Sequence, residues 1–167
     1  GCYSLTQVKL PAGLKYIGAN AFRNCSLTEV LMPNTVLGIG SKAFNGCTDL
    51  QNISISDNLV YLGTGVFDNC RRLEKLVLPK SLSVISGNPF FNWHGNLQIV
   101  SDSFVYEQSI LYDISKTKIL ACLSTEKSIK IPSSVSVIGD FAFCGCSFAA
   151  VSMPTSIEYV GKCAFLN

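Results

Sequence analysis

The chain has 167 residues, of which 48% are hydrophobic and 14% are charged, a composition that excludes intrinsic disorder because disorder requires low hydrophobicity. The formal net charge is only +2 and the sequence has no basic run, so we expect no nucleic-acid partner. No stretch approaches the roughly 20 consecutive apolar residues of a membrane-spanning helix, so no membrane span is predicted in this segment.

A short apolar segment recurs along the chain from residue 5 onward. Each copy has a Leu or Phe, an apolar residue three positions later, and a second apolar residue two positions after that. Because side chains alternate along a strand, these last two point the same way. This pattern predicts a short strand with one buried face. Proline lacks a backbone N–H, so the Pro that follows most copies ends the strand. The copies are Leu5–Pro11, Leu27–Pro33, Leu50–Ser56, Leu73–Pro79 and Phe148–Pro154.

A second extended stretch follows each of these strands and turns at a glycine, as in Leu14 and Ile17 before Gly18. The coil then closes through a small residue beside a phenylalanine, for example Ala21-Phe22. For this outer segment we predict extended, 3-10 or one-turn helical structure.

Phenylalanine and cysteine recur once in each of these units. A fixed period in the twenties indicates a solenoid in which each coil packs on its neighbours. At about 23 residues per repeat the chain amounts to about seven coils. We predict a single array over residues 1–167, partial at both ends and therefore an excerpt of a longer protein. Its predicted structural ladder consists of Phe22, Phe44, Phe67, Phe90, Phe143 and Phe165 with Cys25, Cys47, Cys70 and Cys146.

Eight cysteines in a secreted domain would suggest a disulfide framework. Stacked coils are about 4.8 Å apart, whereas the Cβ atoms of a disulfide are about 3.8 Å apart. The cysteines of the ladder are therefore predicted to be free and to pack as small apolar residues. Cys122, Cys144 and Cys163 lie off the ladder, and their redox state stays open.

One interval departs from the period, because 53 residues separate Phe90 from Phe143, two coils plus about seven residues. Two apolar runs, Phe104–Asp113 and Lys118–Leu123, flank a polar turn. They predict a hairpin or an enlarged coil, inserted at about residues 101–124. Its aromatic side chains are either exposed, as a second binding surface, or form a small core of their own; they are Phe104, Tyr106 and Tyr112.

The repeat Leu-x-x-Val-x-Leu-Pro-x-x-Leu-x-x-Ile-Gly-x-x-Ala-Phe-x-x-Cys resembles the BspA-like, or Treponema pallidum type, leucine-rich repeat. Residues 14–25 and 131–146 match this pattern nearly in full. The resemblance implies a right-handed, curved leucine-rich-repeat solenoid with a parallel β-sheet on its concave face. It also implies a non-catalytic adhesion module on a cell surface or in secreted form, with no catalytic residues and no cofactor.

Catalysis ranks third among the hypotheses for this chain, after an adhesion module and an intracellular scaffold, and it has little support in the residues. His94 is the only histidine, and a cysteine–histidine nucleophile needs both groups and an orienting partner within hydrogen-bond reach. Cys144 and Cys146 are the one close cysteine pair, without the second pair that zinc requires, so no metal site is predicted. The chain is therefore expected not to be an enzyme.

Protein binding remains, and the strand phase predicts which side chains face a partner. The resemblance implies that the partners are host or partner-cell surface or matrix proteins, and the oligomeric state stays open. The alternative is an intracellular, cytoplasmic scaffold with the same fold. The predicted residues of the concave face are Gln7, Lys9, Glu29, Leu31, Asn52, Ser54, Lys75, Val77, Ser128, Lys130, Ala150 and Ser152.

Overall fold

A computed structural model describes residues 1–166 of the chain. The chain forms two compact units, Gly1–Ser101 and Asp102–Asn167. Each unit is a stack of coils whose equivalent strands run parallel, so the prediction of a parallel-strand solenoid is confirmed. The single array over residues 1–167 and its curvature stay predictions.

In the first unit, each coil contributes strands to two faces. The second face consists of β1 (Tyr16–Ile17), β3 (Gly38–Ile39), β5 (Tyr61–Leu62) and β7 (Val84–Ile85). The first face, which carries six of the twelve predicted binding residues, consists of β2 (Glu29–Leu31), β4 (Asn52–Ser54), β6 (Lys75–Leu78) and β8 (Asn96–Ile99).

The two faces of the first unit differ in how their strands pair. The second face is one parallel sheet in the order β1-β3-β5-β7, whereas the first face consists of two separate pairs, β2–β4 and β6–β8. The predicted strand Leu5–Pro11 does not form, because a single backbone hydrogen bond, from Thr28 N to Thr6 O, joins it to the next coil in the described residues. Strand β8 was not predicted.

A column of stacked phenylalanine rings runs through the first unit. Successive rings of Phe22, Phe44, Phe67 and Phe90 stack with centroids 5.5, 6.1 and 6.4 Å apart. Beside this column two thiols donate to the preceding coil, from Cys47 Sγ to Phe22 O and from Cys70 Sγ to Phe44 O. Phe44 and Phe67 thus each contact a ring of the coil on either side.

The outer segments contain no helix within the described residues, so the helical part of the prediction is wrong. In the segment from residue 18 to 25, alternate amides form i→i+3 turns, such as Arg23 N to Asn20 O at 3.2 Å. The amides between them donate to the next coil instead, such as Phe22 N to Ala43 O at 2.8 Å. Left-handed residues at Asn20 (φ 59°) and Asn24 (φ 56°) bound the segment and prevent a helix.

The second unit combines parallel coils with an antiparallel insertion. Strands β9 (Phe104–Glu107), β10 (Ile110–Asp113) and β11 (Lys118–Cys122) are antiparallel neighbours, and β11 pairs in parallel with β13 (Val137–Ile138). The predicted single run Phe104–Asp113 is divided because Gln108 and Ser109 adopt positive φ, which reverses the chain. The other strands of this unit are β12 (Ser128–Lys130), β14 (Ala150–Ser152) and β15 (Tyr159–Val160).

Candidate functional site

The first face of the first unit contains a groove of about 730 Å³ between β4 and β6. All twelve predicted binding residues are exposed, and half of them line this one groove. Alternation along each short strand puts these side chains outward while Val30 and Leu76 point into the core. The six predicted residues in the groove are Glu29, Leu31, Asn52, Ser54, Lys75 and Val77.

The other six predicted residues lie elsewhere. Gln7 and Lys9 belong to the segment that forms no strand, and Lys9 borders a separate depression of about 500 Å³ beside Leu31 and Pro33. The remaining four lie on β12 and β14 of the second unit, where they form two facing pairs in the parallel register. These pairs are Ser128 with Ala150 and Lys130 with Ser152.

The floor of the groove reaches the interior of the coil. Ile53 occupies the inward phase of β4, as Val30 does in β2 and Leu76 in β6. Val30 and Leu76 are buried, but Ile53 is only half-buried and lines the groove with Ile55. The groove therefore exposes apolar side chains that a closed sheet would cover.

Apolar and charged side chains share the rim of the groove. Leu31 is 65% exposed, and Val77 and Val100 are also exposed large apolar residues. The lining carries three carboxylates and two ammonium groups, so its charge is nearly balanced. Such a surface favours recognition through apolar contacts and hydrogen bonds rather than through a strong field. The charged residues are Glu29, Asp57, Glu74, Lys75 and Lys80.

Sequence reasoning missed several exposed features of the first unit. Arg71 and His94 border a second depression of about 520 Å³. On the second face, Tyr16, Tyr61 and Val84 occupy equivalent positions on β1, β5 and β7 and are exposed. The signal was present, because each of these residues directly precedes the buried apolar residue of its strand.

The insertion in the second unit does not present the aromatic patch that was one of the two alternatives. Tyr112 is only 2% exposed and packs with Ile119, Ile138 and Phe143 in the core of this unit. Phe104 and Tyr106 are half-buried. Tyr112 therefore belongs to the core that the insertion shares with the parallel coils of this unit, rather than to a separate core of the insertion.

The thiols of the first unit are poor nucleophiles. All eight cysteines of the chain are free, and Cys2 and Cys163 are exposed. Burial raises the pKa of Cys47 to about 11 and raises that of Cys70 further above its usual value. Because the thiolate is the reactive species, both side chains act as packing groups near neutral pH.

Residues 1–166 contain neither a cluster suited to a metal ion nor a helix suited to span a membrane. Within that range no group of three or more His, Cys, Asp or Glu side chains is placed to hold a metal ion. Over the same residues, no helix has the length and apolar character that a membrane crossing requires.

Parallel strands at a period of about 23 residues, with apolar side chains inside and mixed side chains outside, define a leucine-rich-repeat solenoid. The sequence matches the BspA type leucine rich repeat region in six copies over residues 1–110 and 113–167. The chain belongs to this family, whose members are typically non-enzymatic protein-interaction modules. No curated protein matches its sequence.

Solved structures share this fold at low sequence identity. The pneumococcal vaccine antigen PcpA is 24% identical with a TM-score of 0.78, over 91% of this chain and 40% of that one. A leucine-rich repeat protein from Eubacterium ventriosum is 22% identical with a TM-score of 0.71, over 93% and 50%. One from Bacteroides ovatus is 24% identical with a TM-score of 0.58, over 99% and 53%. The chain thus spans about half or less of each structure.

Proposed function

We propose that the chain is a non-catalytic, protein-binding adhesion module of a cell-surface or secreted protein, and that it binds host or partner-cell proteins through the first face. The observation that carries this proposal is the clustering of six exposed, strand-borne residues around one groove. The strands fix the backbone beneath these side chains, so a partner meets a surface whose backbone is already ordered.

The mixed and nearly uncharged character of the groove favours a protein partner. A nucleic-acid partner would require a basic stripe, whereas the groove carries one more carboxylate than ammonium groups. Contacts of this kind are individually weak, and repetition along an array increases their combined strength.

Charge reversal on the groove tests this proposal. Glu29→Lys combined with Lys75→Glu keeps the net charge and inverts the local pattern, so we expect about tenfold weaker binding to intact partner cells, about 1.4 kcal/mol. Binding of fluorescently labelled protein, measured by flow cytometry over a concentration series, gives the affinity. Lys15→Glu, an exposed site outside the groove, is the control and should leave binding unchanged. Equal binding by all three proteins would contradict the proposal.

The second candidate is an intracellular scaffold with the same fold, and the free thiols favour it. Exposed cysteines such as Cys2 and Cys163 persist as thiols most readily in a reducing compartment. Labelling of intact cells with a membrane-impermeant biotin reagent, followed by detection of the full-length protein, separates the two. A protein labelled only after cell lysis would overturn the adhesion role in favour of the scaffold.

A further inference from the structure

On the first face of the first unit, the backbone hydrogen bonds between successive coils are interrupted at one place, between β4 and β6. Asn52 N donates to Thr28 O at 3.4 Å, and Asn96 N donates to Glu74 O at 2.7 Å. These bonds join equivalent positions of successive coils on either side of the groove. Across the groove itself, no strand pairing joins β4 to β6 in the described part of this unit. The interruption coincides with the groove of about 730 Å³.

The register of the two paired sheets shows which backbone groups face the interruption. In a parallel ladder, alternate residues direct their N–H and C=O to opposite neighbours. Asn52 N donates to Thr28 O and Ser54 O accepts from Met32 N, so residues 52 and 54 bond towards β2. Ile53, between them, directs its backbone N–H and C=O towards β6.

Strand β6 presents the matching edge. Glu74 O accepts from Asn96 N, and Leu78 O accepts from Val100 N at 2.9 Å, so the even-numbered residues bond towards β8. The backbone groups of Lys75 and Val77 therefore face β4. Two strand edges with unpaired donors and acceptors thus border the same groove, an arrangement that ordinary proteins cover or pair.

We propose that this groove takes up an extended segment of a partner protein as an added β-strand, which hydrogen-bonds to the backbone of Ile53 on β4 and of Lys75 and Val77 on β6. This inference rests on the proposed function, and it specifies the chemistry of the partner. Backbone pairing supplies the affinity, and alternate side chains of the segment supply selectivity. A segment of about four residues, about 13 Å long, matches the length of β6.

The lining of the groove explains the side chains that such a segment would carry. Alternate residues of an added strand point inward, where Ile53 and Ile55 offer an apolar floor. The other residues point outward, between Leu31 and Val77 on the rim. Because the lining charges nearly cancel, the segment is expected to be apolar at alternate positions and to need no charge run.

Hydrogen exchange of the free protein tests the unpaired edges. The amides of Ile53 and Val77 are expected to exchange at least a hundredfold faster than those of Val30 and Leu76, which lie within ladders at equivalent depth. Two-dimensional NMR after dilution into D₂O measures these rates. Equal protection of the four amides would mean that β4 and β6 are paired, and the proposal would fall.

Binding is then tested with a capped synthetic peptide that has the sequence of residues 73–79, which matches the repeat of the coil. Titration to millimolar concentration should protect the amides of Ile53 and Val77. Two N-methylated versions of the peptide are made, one methylated at the odd-numbered residues and the other at the even-numbered residues. At least one of them should bind tenfold more weakly than the unmethylated peptide. Unchanged affinity of both methylated peptides overturns strand addition.

A substitution in the groove provides the matched control. Ile53→Lys puts a charge on the apolar floor and should weaken peptide binding at least tenfold. Ile129→Lys makes the same change at an equivalent, half-buried position on β12 and should leave binding unchanged. If Ile53→Lys does not fold, the methylated peptides still decide the question.

The outcomes separate this inference from the proposed function. Cell binding that depends on Glu29 and Lys75, with a peptide insensitive to N-methylation, would retain adhesion and overturn strand addition. Peptide binding in the groove without any cell binding would retain strand addition and overturn adhesion.

Discussion

The regular coils of the first unit and the coil that carries the insertion in the second unit use different residues to make the same backbone hydrogen bond to the next coil. In the first unit, five positions separate Ile39 from Phe44, and Phe44 N donates to Val66 O at 3.1 Å. In the insertion coil, three positions separate Ile119 from Cys122, and Cys122 N donates to Ala142 O at 2.7 Å. Cys122 thus takes the place of the phenylalanine.

The difference follows from what pairs with each coil. In the regular coils the chain leaves the second face at a turn, and the two extra residues form that turn. In the insertion coil, β10 pairs with β11 on its other side, so the strand continues from Lys118 to Cys122. The backbone hydrogen bond between coils is therefore common to both kinds of coil, whereas the side chain at that position differs.

The largest expected effect comes from removing a ring of the phenylalanine column. Phe67 is fully buried between the rings of Phe44 and Phe90, and Phe67→Ala should lower the free energy of unfolding by about 3–5 kcal/mol. Urea denaturation followed by the fluorescence of Trp93, a buried residue of the same unit, measures this change.

Cys122→Ala is the matching change in the insertion coil and should cost about 1–2 kcal/mol, because only one sulfur atom is removed. Circular dichroism during urea denaturation measures it. Similar losses for both variants would mean that the ring is not what stabilises the regular coils.

The second expected effect concerns a carboxyl group of the first unit. Burial raises the pKa of Asp68 to about 6 from 3.8, although Phe91 N–H, Asn45 and Lys42 lower it. Its stabilising contribution is therefore fully present below pH 3.8 and is lost as the pH rises through 6. Above pH 6 the ionised group costs about 3 kcal/mol. Asp68→Asn should remove this loss and stabilise the protein at pH 7, as measured by urea denaturation from pH 4 to 8.

Asp113 at the insertion turn provides the opposite case. Although partial burial raises its pKa, hydrogen bonds from Ser115, Lys118 N and Thr117 lower it below the usual value. Its stabilising contribution is present above the usual pKa and is lost as the pH falls. Asp113→Asn should therefore destabilise the protein at pH 7. A gain in stability for both variants at that pH would contradict the assignment.

The smallest of the three effects concerns the left-handed turn that the insertion coil lacks. Gly46 has φ 74°, and a Cβ there would overlap Asn24 Oδ1, so Gly46→Ala should cost about 1–2 kcal/mol. Gly13→Ala is the control, because a Cβ there meets nothing within 4 Å and Gly13 has no positive φ. Thermal denaturation of both variants measures the difference, and an equal change would show that the turn tolerates a side chain.

Much of the fold could be predicted because each coil repeats the same local pattern. The apolar phase located β4, β6 and the strands of the second face within a residue or two. The error at the outer segments was avoidable, since Asn or Gly precedes the cysteine of each regular coil and both residues tolerate a left-handed conformation. The role of Cys122 was not predictable, because its place depends on the pairing of β10 with β11.

The candidate site divides in the same way. The sequence by itself determined that residues such as Glu29, Asn52 and Lys75 face outward, because side chains alternate along a strand whatever its neighbours are. Only the tertiary structure decided that β4 and β6 stay unpaired while β3, β5 and β7 form a continuous sheet. Repeats with the same local pattern have the same strands, but pairing depends on the distance between coils, which the packing of the whole unit sets.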